Sequence, residues 1–139
     1  MTRINIVPPS ELHDQHLIAE YREIFMVPGS LRRTLRSKIG FNPKKVSSTF
    51  TLNKGHVYFF FDKGLYLEKR YRELVQEMKV RGMNPDPDRK FPKESYPDDL
   101  FNDWEPTEEE MEIVRERIAL RISEKPEGWY RKTPRKKST

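Results

Sequence analysis

Apolar residues recur at the spacing of an α-helix in three stretches of the chain, residues 10–25, 65–81 and 107–122. Each stretch has one apolar stripe and one polar face, which is typical of a helix packed against a core. The stripes consist of Leu17, Tyr21 and Ile24, then Leu67, Tyr71, Leu74 and Met78, then Met111, Val114, Ile118 and Ile122. We therefore predict an all-α fold, a compact single domain of three main helices with long irregular loops.

The first predicted helix is followed by Pro28-Gly29, two residues that disfavour helical structure. Proline removes a backbone donor, so we expect the helix to break or kink there, with Ser30 capping a continuation. The continuation is predicted to turn Leu31, Leu35 and Ile39 inward. Its basic residues are then left outside: Arg32, Arg33, Arg36 and Lys38.

Two segments between the predicted helices have weaker signals. Residues 56–61 favour a strand by propensity, but no partner strand is evident, so a buried lead-in to a helix is an equal alternative. Five prolines between residues 84 and 106 predict a long crossing loop. We expect this loop to be pinned to the core by its aromatic residues, Phe91, Tyr96, Phe101 and Trp104.

The ends of the later helices have clearer signals. Gly82 suits the position just after a helix, and Thr107 with Glu110 forms a capping box at the start of the third helix. The sequence predicts one folded unit over residues 1–130. Residues 131–139 are basic and predicted to be disordered; this tail would help sliding on a polyanion, or serve as a solubilising or nuclear-address segment.

Composition narrows the classes of function. The chain has no cysteine, which excludes a disulfide framework, a thiolate zinc site and a cysteine nucleophile, and fits an intracellular setting. No apolar run reaches the roughly 18 residues of a membrane span, so we expect a soluble protein with no membrane contact. The three histidines lack a metal-ligand spacing, and we predict neither metal nor cofactor.

Charge is distributed unevenly behind a net charge of +5. Residues 1–82 contain 15 basic and 8 acidic residues, residues 83–128 contain 7 and 14, and residues 129–139 contain 5 and none. Separated basic regions that meet on one face are typical of a protein that binds a polyanion. Solvated surface charge without a partner remains the alternative.

The candidate chemistry lies at the start of the chain and on the first helix. Removal of Met1 would expose the α-amine of Thr2, whose ordinary pKa of about 7.7–8.0 allows it to act as a nucleophile. His16 and Glu23 are seven residues apart and share a helix face. Glu23 is the candidate proton acceptor, and Glu20, about 60° away around the helix, is its rival.

Short blocks along nearly the whole chain share their order and spacing with one known family. The blocks are Thr2-Arg3-Ile4-Asn5, Ser10-Glu11-Leu12, Asp14-Gln15-His16-Leu17, Ala19-Glu20-Tyr21-Arg22-Glu23, Thr49-Phe50, Gly55-His56-Val57, Phe59-Phe60, Asp62-Lys63, Arg81-Gly82 and Trp129-Tyr130. Through them the chain resembles the phage- and algal-virus-type endonuclease V, the pyrimidine-dimer DNA glycosylase/AP lyase. The resemblance implies a compact helical, monomeric enzyme that acts inside the cell on UV-damaged double-stranded DNA.

The resemblance also implies a reaction. The Thr2 amine attacks the anomeric carbon of the 5′ nucleotide of a cyclobutane pyrimidine dimer, the glycosidic bond breaks and an imine forms. Glu23 steadies the cationic intermediate and assists proton transfer, after which β-elimination cuts the strand without metal. His16 is assigned a supporting role in orienting water or a phosphate, with a structural hydrogen-bonding role as the alternative, whereas we expect His56 to belong to the core.

DNA contacts are implied residue by residue. Arg3, Arg22 and Arg117 match phosphate-binding residues, and Arg121 replaces a lysine of the family. Trp129 and Tyr130 retain part of an aromatic patch near the active centre. Met26 stands where the family has a phosphate-binding arginine, so the missing contact is weaker or is supplied by nearby basic residues, Arg32, Arg33 or Arg36.

Two other functions are weighed beside this one. A non-enzymatic helical DNA-binding protein would explain the basic patches and leave Thr2 and Glu23 incidental. A metal-dependent nuclease would use acidic residues of the segment 86–105, although those residues lie among prolines without an evident scaffold.

Overall fold

The computed structural model describes residues 3–136 of the chain. The prediction of an all-α fold is confirmed: five α-helices occur in this range and no strand does, apart from one antiparallel bridge between Lys63 and Phe101. The helices are α1 (Asp14–Glu23), α2 (Met26–Arg36), α3 (His56–Phe59), α4 (Gly64–Val80) and α5 (Glu108–Ser123). None of the helices found between residues 3 and 136 is long and apolar enough to cross a membrane.

The junction of α1 and α2 differs from the prediction. The chain turns at Ile24 and Phe25, and α2 already begins at Met26. The predicted break at Pro28-Gly29 is therefore wrong. Pro28 lies in the first turn of α2, where its missing N–H has no intrahelical partner to lose.

The predicted inner face of α2 is only partly correct. Leu31 is fully buried, together with Val27 and Pro28 near the start of the helix. Leu35 and Ile39 were predicted to face inward but are 39% and 81% exposed. The reason is that the buried side of α2 is confined to its first half, and the helix ends before Ile39.

Residues 56–61 adopt the helical alternative, as the single-turn helix α3 followed by further turns. The loop that follows α4 is irregular apart from two short 3₁₀ turns, and its aromatic residues Phe91 and Tyr96 are buried as predicted. Gly64 allows this packing, since a Cβ atom there would lie 2.7 Å from Tyr96 and 2.8 Å from Phe101.

Both predicted helix ends are confirmed. At the end of α4, Gly82 has a φ of 87°, the Gly82 N–H bonds to the Lys79 carbonyl and the Met83 N–H bonds to the Met78 carbonyl. These two bonds define a Schellman motif. At the start of α5, Thr107 and Glu110 exchange both hydrogen bonds of the capping box.

The C-terminal segment differs from the expectation of disorder over residues 131–136. Its backbone bonds to α1 through Arg131 and Thr133, and to the end of α4 through Lys136. Asp14 receives hydrogen bonds from both the N–H and the hydroxyl of Thr133. Residues 137–139 lie outside the described range, and the division at residue 130 stays a prediction.

The core lies between α1 and α4, and both the loop aromatics and residues of α5 pack against it. Leu17 of α1 and Leu67 and Leu74 of α4 are fully buried in it. Val114 of α5 is buried as predicted, while Met111 and Ile118 are half-buried against the same core. This packing leaves an open cleft between α1 and α5.

Candidate active site

The cleft between α1 and α5 has a volume of about 590 Å³ and contains most of the residues proposed for the chemistry. The proposed residues on its wall are Arg3, His16, Glu23, Arg117, Arg121 and Tyr130. The wall also contains Glu20, the rival of Glu23, and lining residues that were not proposed as site residues: Asn5, Gln15, Ala19, Val114 and Ile118. Two helices and the N-terminal segment thus place a carboxylate among several cations.

The N-terminal segment is held at successive residues. The Ile4 N–H donates to Nε2 of His56 over 2.9 Å. The Asn5 N–H and its side-chain amide both donate to Glu20 Oε1, at 3.2 and 2.9 Å. The segment that leads to the chain start therefore has a fixed path along the cleft.

The segment also turns sharply at Ile6. Ile6 has a φ of 50°, which is rare for a β-branched residue, and the Val7 N–H bonds back to the Asn5 carbonyl. Such strain persists only where surrounding contacts enforce it. Here the contacts are those of Asn5 with Glu20 and of the Val7 carbonyl with Arg70.

Glu20 and Arg70 form a buried ion pair behind the cleft. Arg70 Nε lies 2.7 Å from Glu20 Oε2 and Arg70 Nη2 lies 3.0 Å from Oε1. Burial by itself would lower the pKa of Arg70, but the Glu20 carboxylate raises it overall. Since both oxygens of Glu20 are engaged and only 1% of the residue is exposed, Glu20 is poorly placed to accept a proton from a substrate.

Glu23 differs from Glu20 in each of these respects. It is half-buried on the cleft wall, and within residues 3–136 its carboxylate has no hydrogen-bond or ion-pair partner. A carboxylate without a protein partner in a cleft can accept a proton from a bound molecule. The structure therefore separates the two candidate acids that helical spacing alone left open.

His16 lies against Tyr130 on the same wall. Their rings stack with centroids 4.7 Å apart and planes 10° from parallel, and His13 packs edge-on to both rings. His16 Nδ1 is buried, with no hydrogen-bond partner among residues 3–136. Burial, followed by the charges of His13 and Arg121, lowers the pKa of His16 below its ordinary value.

Tyr130 reaches His16 because the C-terminal segment is anchored on α1. The Gln15 amide donates to the Trp129 carbonyl, and the Arg131 N–H donates to Gln15 Oε1 over 2.9 Å. Arg81 stabilises this attachment, because its Nη1 donates over 2.9 Å to Asp14 Oδ1, and the same carboxylate accepts from Thr133 of the C-terminal segment.

Three arginines give the cleft its positive charge. Arg3, Arg117 and Arg121 line the same cleft, and partial burial and then the charges of Arg117 and Arg121 lower the pKa of Arg3. Within the described part of the chain, Arg117 and Arg121 have no acidic partner. Like charges held together in this way favour an anionic ligand.

Other proposed residues lie outside the cleft. Arg22 is exposed on the neighbouring face of α1, and Arg32 and Arg33 are exposed on α2. Trp129 is 54% exposed, with Lys125 over its ring at 4.9 Å. Thr2 lies outside the described residues.

His56 occupies the core, as expected, but it also supports the site. Because Ile4 N–H can only donate, Nε2 must be the acceptor and Nδ1 carries the proton, which it donates to the Thr51 carbonyl 2.7 Å away. A proton on Nε2 would face the Ile4 N–H, so two hydrogen-bond donors would meet with no acceptor between them. Burial accordingly lowers the pKa of His56 below its ordinary value of 6.5.

We expect a lower pH to weaken the hydrogen bond from the Ile4 N–H to His56 and to lower the stability of the fold. Above pH 6.5 the histidine is neutral both folded and unfolded; as the pH falls below 6.5 the unfolded chain binds a proton that folded His56 resists, so stability decreases. His13 and His16 also have lowered pKa values and act in the same direction. NMR titration should give His56 a pKa below 6.5, and His56→Gln should weaken the acid dependence of unfolding; a value above 6.5 would contradict the assigned tautomer.

Arg70 was the main omission of the sequence analysis. It falls between Leu67 and Leu74 on the apolar stripe of α4, a position that signals a buried charge in need of an acidic partner. Within residues 3–136, no three or more metal-ligating side chains lie close enough together to hold a metal ion.

The comparison with known families agrees with this geometry. A family model described as pyrimidine dimer DNA glycosylase matches residues 1–91. The match includes the N-terminal segment, α1 with Glu20 and Glu23, His56 and α4 with Arg70. The chain belongs to the pyrimidine dimer DNA glycosylase family.

Proposed function

We propose that this glycosylase uses the α-amine of Thr2 as its nucleophile and also acts as an AP lyase. The amine attacks the anomeric carbon of the 5′ nucleotide in a cyclobutane pyrimidine dimer, the glycosidic bond breaks with its electron pair leaving on the base, and an imine forms. The protonated imine acidifies the adjacent sugar C–H. Glu23 accepts that proton, and β-elimination expels the 3′ phosphate.

The observation that carries this proposal is the cleft in which the N-terminal segment meets Glu23. Arg3, the residue that follows Thr2 in the sequence, lies on the wall of the same cleft as Glu23. The hydrogen bonds of Ile4 to His56 and of Asn5 to Glu20 fix the backbone directly after Arg3, which supports a reactive group at the start of the chain.

The charges of the cleft support the choice of an amine. An amine attacks only when it is neutral, and nearby cations lower its pKa by disfavouring the ammonium form. Arg3, Arg117 and Arg121 supply such cations. Bound phosphates would offset part of this shift. An amine and a carboxylate suffice for both bond cleavages, so we propose that no metal takes part.

We further propose that the basic residues around the cleft position the duplex by its phosphates. Arg3, Arg117 and Arg121 would contact the strand at the lesion. The exposed surface beyond the cleft would contact flanking DNA through Arg22, Arg32, Arg33 and Trp129, while Tyr130 would contact DNA from the cleft wall. Selection of the lesion would then come from the lower cost of kinking and opening a damaged duplex, rather than from sequence readout.

Arg117→Ala and Arg121→Ala should each weaken binding and reduce the slope of log affinity against log salt by about one. Arg115→Ala is a matched control on the same helix. Its guanidinium already bonds to Glu11 and Glu108, at 2.8 and 2.7 Å, so its loss should leave the slope unchanged. Unchanged slopes for Arg117 and Arg121 would exclude these two phosphate contacts.

Duplexes with one defined cyclobutane dimer, or one plain abasic site, test the proposed function. We expect the monomeric protein to cut both, to leave the β-elimination product on the strand, and to do so in EDTA. Binding of the dimer duplex without release or cleavage would instead indicate a non-enzymatic DNA-binding protein. Cleavage abolished by EDTA would contradict the amine mechanism.

A further inference from the structure

Arg89, in the loop after α4, contacts the end of the helix that bears Glu23. Its Nη1 donates to the Tyr21 carbonyl over 2.6 Å, and its Nη2 donates to the Arg22 carbonyl over 3.1 Å. Carbonyls in the last turn of a helix lack intrahelical partners, and a cation there is also favoured by the helix dipole. Arg89 therefore acts as a side-chain cap for α1.

The guanidinium of Arg89 is fixed by aromatic rings as well as by these bonds. Its central carbon lies 3.9 Å from the ring centroid of Phe25, 4.4 Å from that of Tyr21 and 5.4 Å from that of Tyr71. The Tyr71 hydroxyl donates to the Arg89 carbonyl over 2.9 Å. Planar stacking with a two-pronged donor set is a geometry that lysine cannot reproduce.

The capped carbonyls belong to the two residues immediately before Glu23. Beyond Glu23 the chain turns at Ile24 and Phe25, before α2 begins at Met26. Arg89 bonds the last turn on one side, and Phe25, on the other side of Glu23, packs on the same guanidinium. Arg89 thus bonds the backbone just before Glu23 and packs on a side chain just after it.

We propose that Arg89 is a positioning residue that directs the Glu23 carboxylate into the cleft. This inference rests on the proposed function, because it gives Glu23 the proton-accepting role. Arg89 itself does not touch the substrate. Because two of its nitrogens bond to carbonyls and its guanidinium lies over aromatic rings, we expect Arg89 to make no phosphate contact.

Arg89→Met keeps an apolar stem for the rings and removes both donors. We expect single-turnover cleavage of an abasic-site duplex to slow about 10- to 100-fold, which is the effect of a catalytic group displaced by about 1 Å. Affinity for a duplex containing a reduced, uncleavable abasic analogue, and the salt slope of that affinity, should stay unchanged. Arg89→Lys should fall between Arg89→Met and the unaltered protein.

Two controls separate positioning from general stability. Arg72→Met removes an exposed arginine of α4 that pairs only with Glu68 among the described residues, and should leave the rate unchanged. In a Glu23→Gln background, Arg89→Met should cause no further loss. If Arg89→Met unfolds below the assay temperature, Arg89→Lys takes its place in the same double-variant comparison.

Three results would overturn this inference. They are a normal cleavage rate for folded Arg89→Met, a salt slope of its DNA affinity that is lower by about one, or a loss of cleavage rate that is equally large in the Glu23→Gln background. Failure of the proposed function gives a different pattern, because Glu23→Gln would then cleave normally. A dead Glu23→Gln beside a fully active Arg89→Met refutes only the role of Arg89.

Discussion

Glu23→Gln is expected to lower the single-turnover rate of strand cleavage about 10²- to 10⁴-fold while binding to dimer-containing DNA is retained. This range is typical of a lost general acid or base. The amide keeps the shape of the carboxylate but can neither accept the sugar proton nor stabilise a cationic imine. Because Glu23 has no partner among residues 3–136, the substitution breaks no ion pair there and should leave stability nearly unchanged.

Glu73→Gln provides the matched control for this experiment. Glu73 is exposed on α4 and lies outside the cleft, so its amide variant should bind and cleave normally. Affinity is best measured with an uncleavable abasic analogue, which separates binding from turnover. Near-normal cleavage by Glu23→Gln would remove Glu23 from the mechanism.

Arg70→Met is expected to lower the free energy of unfolding by about 3–5 kcal/mol, as does removal of one partner from a buried ion pair. Arg70 and Glu20 are both almost fully buried, so the substitution would leave the Glu20 carboxylate with only its bonds to Asn5. For a chain of this size the melting temperature should fall by roughly 10–20 °C. Urea unfolding measures the loss directly.

The double variant Glu20→Leu with Arg70→Met tests the cause of that loss. If the unpaired charge dominates, the double variant should be more stable than Arg70→Met alone, since no buried carboxylate remains. Arg72→Met again serves as the exposed control. A loss below about 1 kcal/mol for Arg70→Met would show that the pair contributes little.

The helices of this fold follow from local rules, and for that reason their positions were largely predictable. Helical spacing of apolar residues locates α1, α4 and α5, and the capping box and Gly82 fix two of their ends. The α1–α2 junction was not predictable in this way. Its position depends on tertiary contacts at Phe25 and on the capping of α1 by Arg89, which lies more than 60 residues farther along the chain.

The candidate site was predictable in part, because the spacing of residues along a helix shows which side chains share a face but not which residues they contact. Periodicity places His16 and Glu23 on one side of α1, and it cannot tell Glu23 from Glu20. That distinction depends on Arg70, fifty residues away, which occupies Glu20 and leaves Glu23 facing the cleft. Likewise, basic composition suggests disorder for the C-terminal segment, whereas Asp14 and Gln15 hold residues 131–133 against α1.

The central claim is that the Thr2 amine forms the covalent bond to DNA, and borohydride trapping tests it most directly. Reduction during turnover should link one protein chain to each strand of dimer-containing or abasic DNA, and peptide mapping by mass spectrometry should place the link on the α-nitrogen of Thr2. A protein with its terminus acetylated should give neither link nor cleavage. A link on a lysine side chain, or undiminished cleavage by the acetylated protein, would contradict the account.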